Sequence, residues 1–290
     1  MNDHMIRALS ASGGIRILVC TVAGLAREIC ELQAASPTVS IALGRGLAGG
    51  ALMGALLKPG QRVALKFEGN GPMRKMIIEA DSDGAVRGCA ANPTAEAEVI
   101  EGCWNVPGVL GRAGFLTVSK DLGVGGAPYH GMVQLHSSEI GDDLAHYLAD
   151  SEQIPSAVGL GATVGVSGRI SLCGGFLVQA LPRVKDGQIE DIMTRISALP
   201  PITDMLRSGG PALILETLFG RSPYTLLETS DIFFRCGCHR EKVKRALLTL
   251  GRDELSDMGQ KENGAEVTCE FCRKSYQFDV EELESLSGQK

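Results

Sequence analysis

The sequence predicts an α+β protein: an N-terminal mixed domain with antiparallel sheets and helices, a helical linker, and a small C-terminal four-cysteine domain. Three observations predict it. Apolar residues alternate with period two in paired short runs joined by tight turns, which marks hairpins rather than strand–helix–strand crossovers. Residues 185–230 switch to helical spacing broken by proline and glycine. Composition then shifts near residue 231, where 22 of the last 60 residues are charged against 40 of the first 230, while glycine falls from 32 of 230 to 5 of 60. The expected division is therefore 1–184, 185–230 and 231–290.

In chain order, residues 17–26 (ILVCTVAGLA) lie behind Arg7 and Arg16 like a signal-peptide apolar run, but read better as a buried strand entering a helix. Residues 39–57 are nearly long enough to span a bilayer. Arg45 near their middle and five glycines make a buried small-residue helix the better reading, so no membrane segment is expected. Val63, Leu65 and Phe67 form a half-buried strand closed by Gly69-Asn70-Gly71-Pro72. Residues 75–80 and 85–90 flank the turn Asp81-Ser82-Asp83-Gly84 as a hairpin, and 115–120 with 131–135 make a second pair. Ile140, Leu144 and Leu148 recur at helical spacing, with Ser138 as the expected cap. Residues 157–167 and 171–181 make a third pair. In the linker, Ile189, Ile192, Met193 and Ile196 form one apolar helical stripe, and Pro200-Pro201, Gly209-Gly210-Pro211 and Ser222-Pro223 break the segment into short helical pieces.

The chain has 290 residues, is 44% hydrophobic and 21% charged, and carries a net charge of −6, which together exclude a disordered chain and a general nucleic-acid binder. Nine cysteines are an odd number in a chain long enough to bury its own core, so a disulfide framework is not expected. Cys20, Cys30, Cys89, Cys103 and Cys173 sit among apolar or small residues and read as small hydrophobes. The other four are patterned: Cys236-Gly237-Cys238, then 30 intervening residues, then Cys269-Glu270-Phe271-Cys272. Two thiolate pairs on short turns can converge on one tetrahedral Zn²⁺. Between them lies an amphipathic helix with Val243, Ala246, Leu247 and Leu250 on its apolar side and Gly251 as its expected cap. An iron–sulfur cluster is the alternative, although the separations differ from the common ferredoxin runs. His239 is a further possible ligand, though four thiolates already complete a site. Bound thiolates are the oxidisable form of cysteine, and each pair can close a disulfide within itself once an oxidant arrives. A domain of about 60 residues that loses its metal should unfold, which is the logic of a redox switch.

Two other functional classes compete. Residues 44–49 (GRGLAG) after a possible strand at 39–43, with Glu68 at the end of the next one, match a dinucleotide-binding pattern. Against it, the chain after Glu68 turns into hairpins. Lys242, Lys244, Arg245 and Arg252 suggest a basic helix face for nucleic acid, but the last 60 residues hold 12 acids to 10 bases. His130, His136 and His146 have no evident nucleophile partner, and no catalytic residues are expected.

The segments FRCGCHREKVKRALLTLG and VTCEFCRKSYQFD, with KDLG at 120–123, PYHGMVQL at 128–135 and SSEIGDDLAHYLADSEQIPSAVGLG at 137–161, resemble the heat-shock protein 33 family from about residue 7 to 282. The resemblance implies a cytoplasmic, ATP-independent holdase chaperone controlled by oxidation. It implies a reduced, inactive monomer with one zinc ion on Cys236, Cys238, Cys269 and Cys272. Peroxide at raised temperature, or hypochlorous acid, would form disulfides Cys236–Cys238 and Cys269–Cys272 and release the zinc. The linker 185–230 would then lose structure, the protein would dimerise, and apolar surface would capture unfolding client proteins. On this reading the Ile189–Ile192–Met193–Ile196 stripe is buried against the main domain while zinc is held.

Overall fold

The computed structural model describes residues 2–123, 125–251, 254–255, 257–258 and 264–287, in two units divided between Arg235 and Cys236. In the first unit, β10 (Tyr224–Asp231), β1 (His4–Ser10), β2 (Ile15–Thr21), β9 (Ile170–Ala180) and β8 (Ser156–Val164) form a five-stranded antiparallel sheet in that order. A six-stranded sheet runs β11 (Phe233–Phe234), β5 (Ala85–Ala90), β4 (Lys75–Asp81), β3 (Arg62–Gly69), β6 (Gly114–Asp121) and β7 (Tyr129–Gln134). All of its pairings are antiparallel except β11 with β5. The three hairpins expected from period-two patterning are all present.

Helix α2 (Pro37–Gly54) lies between the sheets, touching β2, β8 and β9 of one and β3, β4 and β5 of the other. That position explains its composition. Every residue except Pro37 and Arg45 is buried, so the helix is apolar all round. Ser36 caps it by accepting from Val39 N at 3.3 Å, and Pro37 occupies the first turn. Its glycines let two sheets approach one backbone. A Cβ at Gly46 would stand 2.8 Å from Met76 Cε, at Gly49 2.5 Å from Leu144 Cδ1, and at Gly50 2.4 Å from Ile78 Cγ2. Residues 39–43 are therefore helix and not strand, and the Gly44-to-Gly49 pattern sits mid-helix, which removes the dinucleotide reading. Glu68 pairs with Lys66 at 2.7 Å on β3.

Overpacking this contact should be measurable. Because Ile78 is fully buried and cannot swing away, Gly50→Ala is expected to destabilise the fold by roughly 1–3 kcal/mol. A lowered urea midpoint with unchanged slope would show it; a midpoint at or above wild type would contradict the close approach.

The opposite face of the five-stranded sheet is covered by α6 (Ile202–Phe219), and α5 (Asp186–Ser197) packs against α6. Ile17, Val19, Phe176 and Val178 from the sheet pack with Met205, Leu206, Ile214 and Leu218 from α6. From Ile17 to Cys20 strand β2 is thus buried on both faces, which is why that stretch reads as an unbroken apolar run. The chain continues from β2 into α1 (Ala23–Leu32), the strand-to-helix step expected there. In α5 the four-residue stripe divides into two rows. Ile192 is buried and Ile196 packs beside it, whereas Ile189 is 37% and Met193 49% exposed. Residues i and i+4 share a row, and only the 192/196 row joins the apolar cluster that α6 forms on the sheet. The expected burial of the whole stripe is corrected accordingly.

Helix α6 is kinked at Gly210, whose φ of +66° and ψ of −161° precede Pro211, so the Gly-Gly-Pro break divides it into two helical pieces. After Ser222-Pro223 the chain forms strand β10 instead of another helix. Two short helices complete the unit, α3 (Val106–Leu110) and α4 (Ile140–Asp150). Ser138 does not cap α4: its φ is +63°, and its Oγ donates to Gly111 O at 2.6 Å. Asp143 instead reaches back to accept from His136 N at 2.7 Å and Ser137 N at 3.1 Å. Among the described residues, no helix is long and apolar enough to cross a membrane.

The second unit contains α7 (Arg240–Leu247), the hairpin β12 (Ala265–Thr268) and β13 (Ser275–Phe278), and α8 (Val280–Ser287). Its core is small: Leu247, Leu255, Ala265, Tyr276, Phe278, Leu283 and Leu286, with Cys238 and Val243 packed against it. Of the expected α7 stripe, Leu247 is buried and Val243 half-buried, while Ala246 and Leu250 are exposed. The helix ends at Leu247 with Leu248 as its cap, and Gly251, at φ +100°, lies beyond it.

Candidate metal centre

An irregular stretch and one tight turn of the second unit deliver the four patterned sulfurs. Cys236 and Cys238 precede α7. His239 caps that helix, its Nδ1 accepting from Lys242 N at 3.3 Å, so its role is to start the helix. Cys269 and Cys272 occupy the turn between β12 and β13. Cys269 N donates to Lys274 O at 3.0 Å, Arg273 N donates to Cys269 O at 2.9 Å, and Arg273 takes a left-handed φ of +59°. This conformation folds the two-residue loop so that both sulfurs face inward.

All four Sγ atoms lie within 4.8 Å of one another, and each cysteine is half-buried. Cys236 Sγ is 3.7 Å from Cys269 Sγ, and Cys238 Sγ is 3.2 Å from Cys272 Sγ. Ligands at about 2.3 Å from a tetrahedral ion stand about 3.8 Å apart, so the cage has the size of one ion. A polynuclear iron–sulfur cluster needs its cysteines spread around several metal atoms, and this cage is too tight for that. Electrostatics supports the same reading. Burial, and then contact with the three other sulfurs, pushes the Cys272 thiol up to about 12. A divalent cation beside Cys272 would favour its thiolate and offset that rise.

The remaining cysteines are placed differently. Cys20, Cys30, Cys89 and Cys173 are buried in the first unit, and Cys103 is exposed. Burial pushes the Cys20 and Cys30 thiols up to about 12 and that of Cys173 well above the ordinary range. Cys20, Cys30 and Cys173 are therefore neutral thiols at physiological pH and poor nucleophiles.

The approach to the first pair is anchored within the first unit. Arg235, next to Cys236 in the chain, binds Asp81 Oδ2 at 2.8 Å and Asp83 Oδ2 at 2.8 Å on the β4–β5 turn. Its hydrogen bonds hold the Asp83 carboxyl below the usual carboxylate range. Two supporting groups in the second unit were not singled out in the sequence. Arg240 grips Glu282 Oε1 and Oε2 at 2.8 and 2.6 Å and lies over the Phe278 ring at 4.4 Å. Tyr276 donates its hydroxyl to Cys238 Sγ at 3.2 Å. The alternation Tyr276-x-Phe278 just after the second cysteine pair was the available signal for both rings.

The other sequence candidates do not gather into a site. His130 Nδ1 lies 2.8 Å from Ser119 Oγ, and the His136 and His146 rings face one another at 5.5 Å. Lys244 is paired with Glu241 at 3.5 Å on α7, which breaks up the basic face; Arg252 lies outside the described residues.

Comparison with known proteins agrees with this arrangement. The model of the family described as Hsp33 protein matches residues 3–279. The chain is 71% identical over 287 residues to the 33 kDa chaperonin of Pelobacter propionicus, covering 99% of this chain and 94% of that one. It is 50% identical to the 33 kDa chaperonin of Geobacter sulfurreducens, covering 99% and 95%. The crystal structure of the 33 kDa chaperonin from Thermotoga maritima superposes with a TM-score of 0.92 at 37% identity, covering 99% and 98% of the two chains.

Proposed function

Since the chain belongs to the Hsp33 family of chaperones, we propose that it is a redox-regulated, ATP-independent holdase whose switch is the four-cysteine unit. The convergence of Cys236, Cys238, Cys269 and Cys272 within 4.8 Å supports this most directly. These residues would hold one Zn²⁺. Bound there, zinc keeps all four sulfurs as thiolates and supplies about 10–16 kcal/mol of apparent binding energy to a unit with little core of its own.

Oxidation removes those ligands. In each pair, one thiolate attacks peroxide to give a sulfenic acid and hydroxide, and the second thiolate displaces another hydroxide as the disulfide forms. Two peroxides per chain would thus yield Cys236–Cys238 and Cys269–Cys272. The unit then keeps only its small core and should unfold. The effect passes along the chain from Cys236 to Arg235 and back through β11, β10 and α6. Residues 185–230 are the linker in this proposal, with 1–184 presenting the client and dimer surface and 231–290 acting as the switch. When α5 and α6 lift away, Ile17, Val19, Phe176 and Val178 become available to apolar segments of unfolding proteins. The reduced form is a monomer, the oxidised form a dimer, and the setting the cytoplasm. The action is binding without catalysis.

The test compares reduced, zinc-loaded protein with peroxide-treated protein in suppressing light scattering by a thermally unfolding client. Suppression is expected only after oxidation, reversed by a thiol reductant, with sedimentation showing the dimer at low micromolar concentration. Equal behaviour of the two states would refute the switch. Peptide mapping checks the pairing: recovery of Cys236–Cys269 and Cys238–Cys272, whose sulfurs lie 3.7 and 3.2 Å apart, would refute the proposed disulfides.

A further inference from the structure

We propose that Tyr276 is a positioning residue that restrains the oxidation of Cys238, an inference that rests on the redox reading above. Tyr276 lies on β13 opposite Val267 of β12, and its ring is buried in the core of the second unit. Its hydroxyl reaches Cys238 Sγ at 3.2 Å, and Lys274 Nζ lies over its ring at 5.4 Å. The ring belongs to the hairpin that carries the second cysteine pair, whereas the sulfur belongs to the first. One hydrogen bond therefore ties the two halves of the cage together. A buried phenol needs a partner for its O–H, and here that partner is a sulfur that must react.

Both oxidation steps draw on a sulfur lone pair. In the first, the lone pair attacks a peroxide oxygen: an S–O bond forms, the O–O bond breaks, and hydroxide leaves with the electron pair. In the second, another thiolate attacks that sulfur: the S–S bond forms, the S–O bond breaks, and a second hydroxide leaves. Two electrons pass from the sulfurs to one peroxide for each disulfide. A hydrogen bond to sulfur withdraws density from the attacking lone pair, and thiolate nucleophilicity falls with sulfur basicity with a slope of about 0.4–0.5. It also fixes Sγ within the cage, as hydrogen bonds to metal ligands generally do. The phenol thus slows attack on an oxidant while holding the sulfur in place within the donor set.

Packing and restraint are separated by using two ways to strip the metal. Zinc release from the reduced full-length chain is followed under excess peroxide and, separately, under a strong competing chelator without oxidant. In Tyr276→Phe the ring is kept and only the donor is lost. The ratio of peroxide-driven to chelator-driven rates should rise roughly threefold or more over wild type. A ratio that is unchanged or lower, including equal acceleration by both reagents, overturns the restraint while leaving the redox reading intact. Wild-type protein that releases no zinc to peroxide removes that reading and the restraint with it. If Tyr276→Phe fails to retain zinc, the comparison passes to a chain carrying 3-fluorotyrosine at 276, which keeps the ring and is a stronger donor. There the peroxide-driven rate must fall relative to the chelator-driven rate, and any other result overturns the proposal.

Discussion

A Cys236→Ser chain is expected to lose most of its zinc affinity and, with it, the folded state of residues 236–290. The reason is the size of the second unit's core. Seven buried apolar residues, Leu247 and Leu255 through Leu286, are all that the described residues offer, and a unit of about 55 residues is marginal on such a core alone. Metal binding contributes about 10–16 kcal/mol to units of this kind. Removing one of four ligands takes away on the order of several kcal/mol of that, comparable with the whole stability of a small domain. Zinc content by atomic spectroscopy should fall well below one per chain. Limited proteolysis should open sites within 236–290, and cuts in 185–230 should follow because the proposed coupling runs through Arg235. A variant with full zinc and an unchanged digestion pattern would sink both the ligand assignment and the coupling. Serine at 236 is nearly isosteric with cysteine, so loss of packing does not account for the expected effect.

What could be seen in the sequence, and what could not, follows from the range of the forces involved. Hairpins were legible because each strand carries its own period: Val63, Leu65 and Phe67 face the core whatever lies beyond them. The four-cysteine cluster was legible because one or two residues between paired cysteines keep each pair of sulfurs together without help from distant residues. The glycines of α2 were ambiguous. Gly44, Gly46 and Gly49 match a phosphate cradle when read locally, and what decides otherwise is Met76, Ile78 and Leu144, residues brought there only by the fold. Strand β10 was missed because it is an edge strand, nearly all of it exposed, and so shows no burial alternation. The α5 stripe was read as one face because Ile189, Ile192, Met193 and Ile196 all satisfy helical spacing. Only the position of α6 selects the 192/196 row. Tyr276 was passed over because nothing in a sequence distinguishes a core tyrosine from one whose hydroxyl reaches a sulfur across the cage.

The same sheet-and-helix contact gives the second large effect. Leu218 is fully buried in α6 among Ile17, Val19 and Phe176 of the sheet, and its carbonyl accepts from Arg195 Nη1 of α5 at 3.1 Å. Arg195 also binds Phe219 O at 2.9 Å, so one guanidinium ties α5 to the C-terminal end of α6, where a cation is favoured. Leu218→Ala keeps these backbone bonds but empties the contact with the sheet, which costs about 2–5 kcal/mol for a buried leucine. Because α6 is the cover in the proposed switch, that loss falls on the closed state. The reduced, zinc-loaded variant is therefore expected to suppress client light scattering without peroxide, and to bind an apolar dye that the wild-type reduced protein binds weakly. Glu216→Ala, on the exposed side of the same helix, should change stability by no more than about 0.5 kcal/mol and leave the reduced protein inactive. The contrast between the two positions separates cover from general instability. If Leu218→Ala lowers the melting temperature yet stays inactive until oxidised, the surface beneath α6 is not where clients bind, and the switch must open some other face of the first unit.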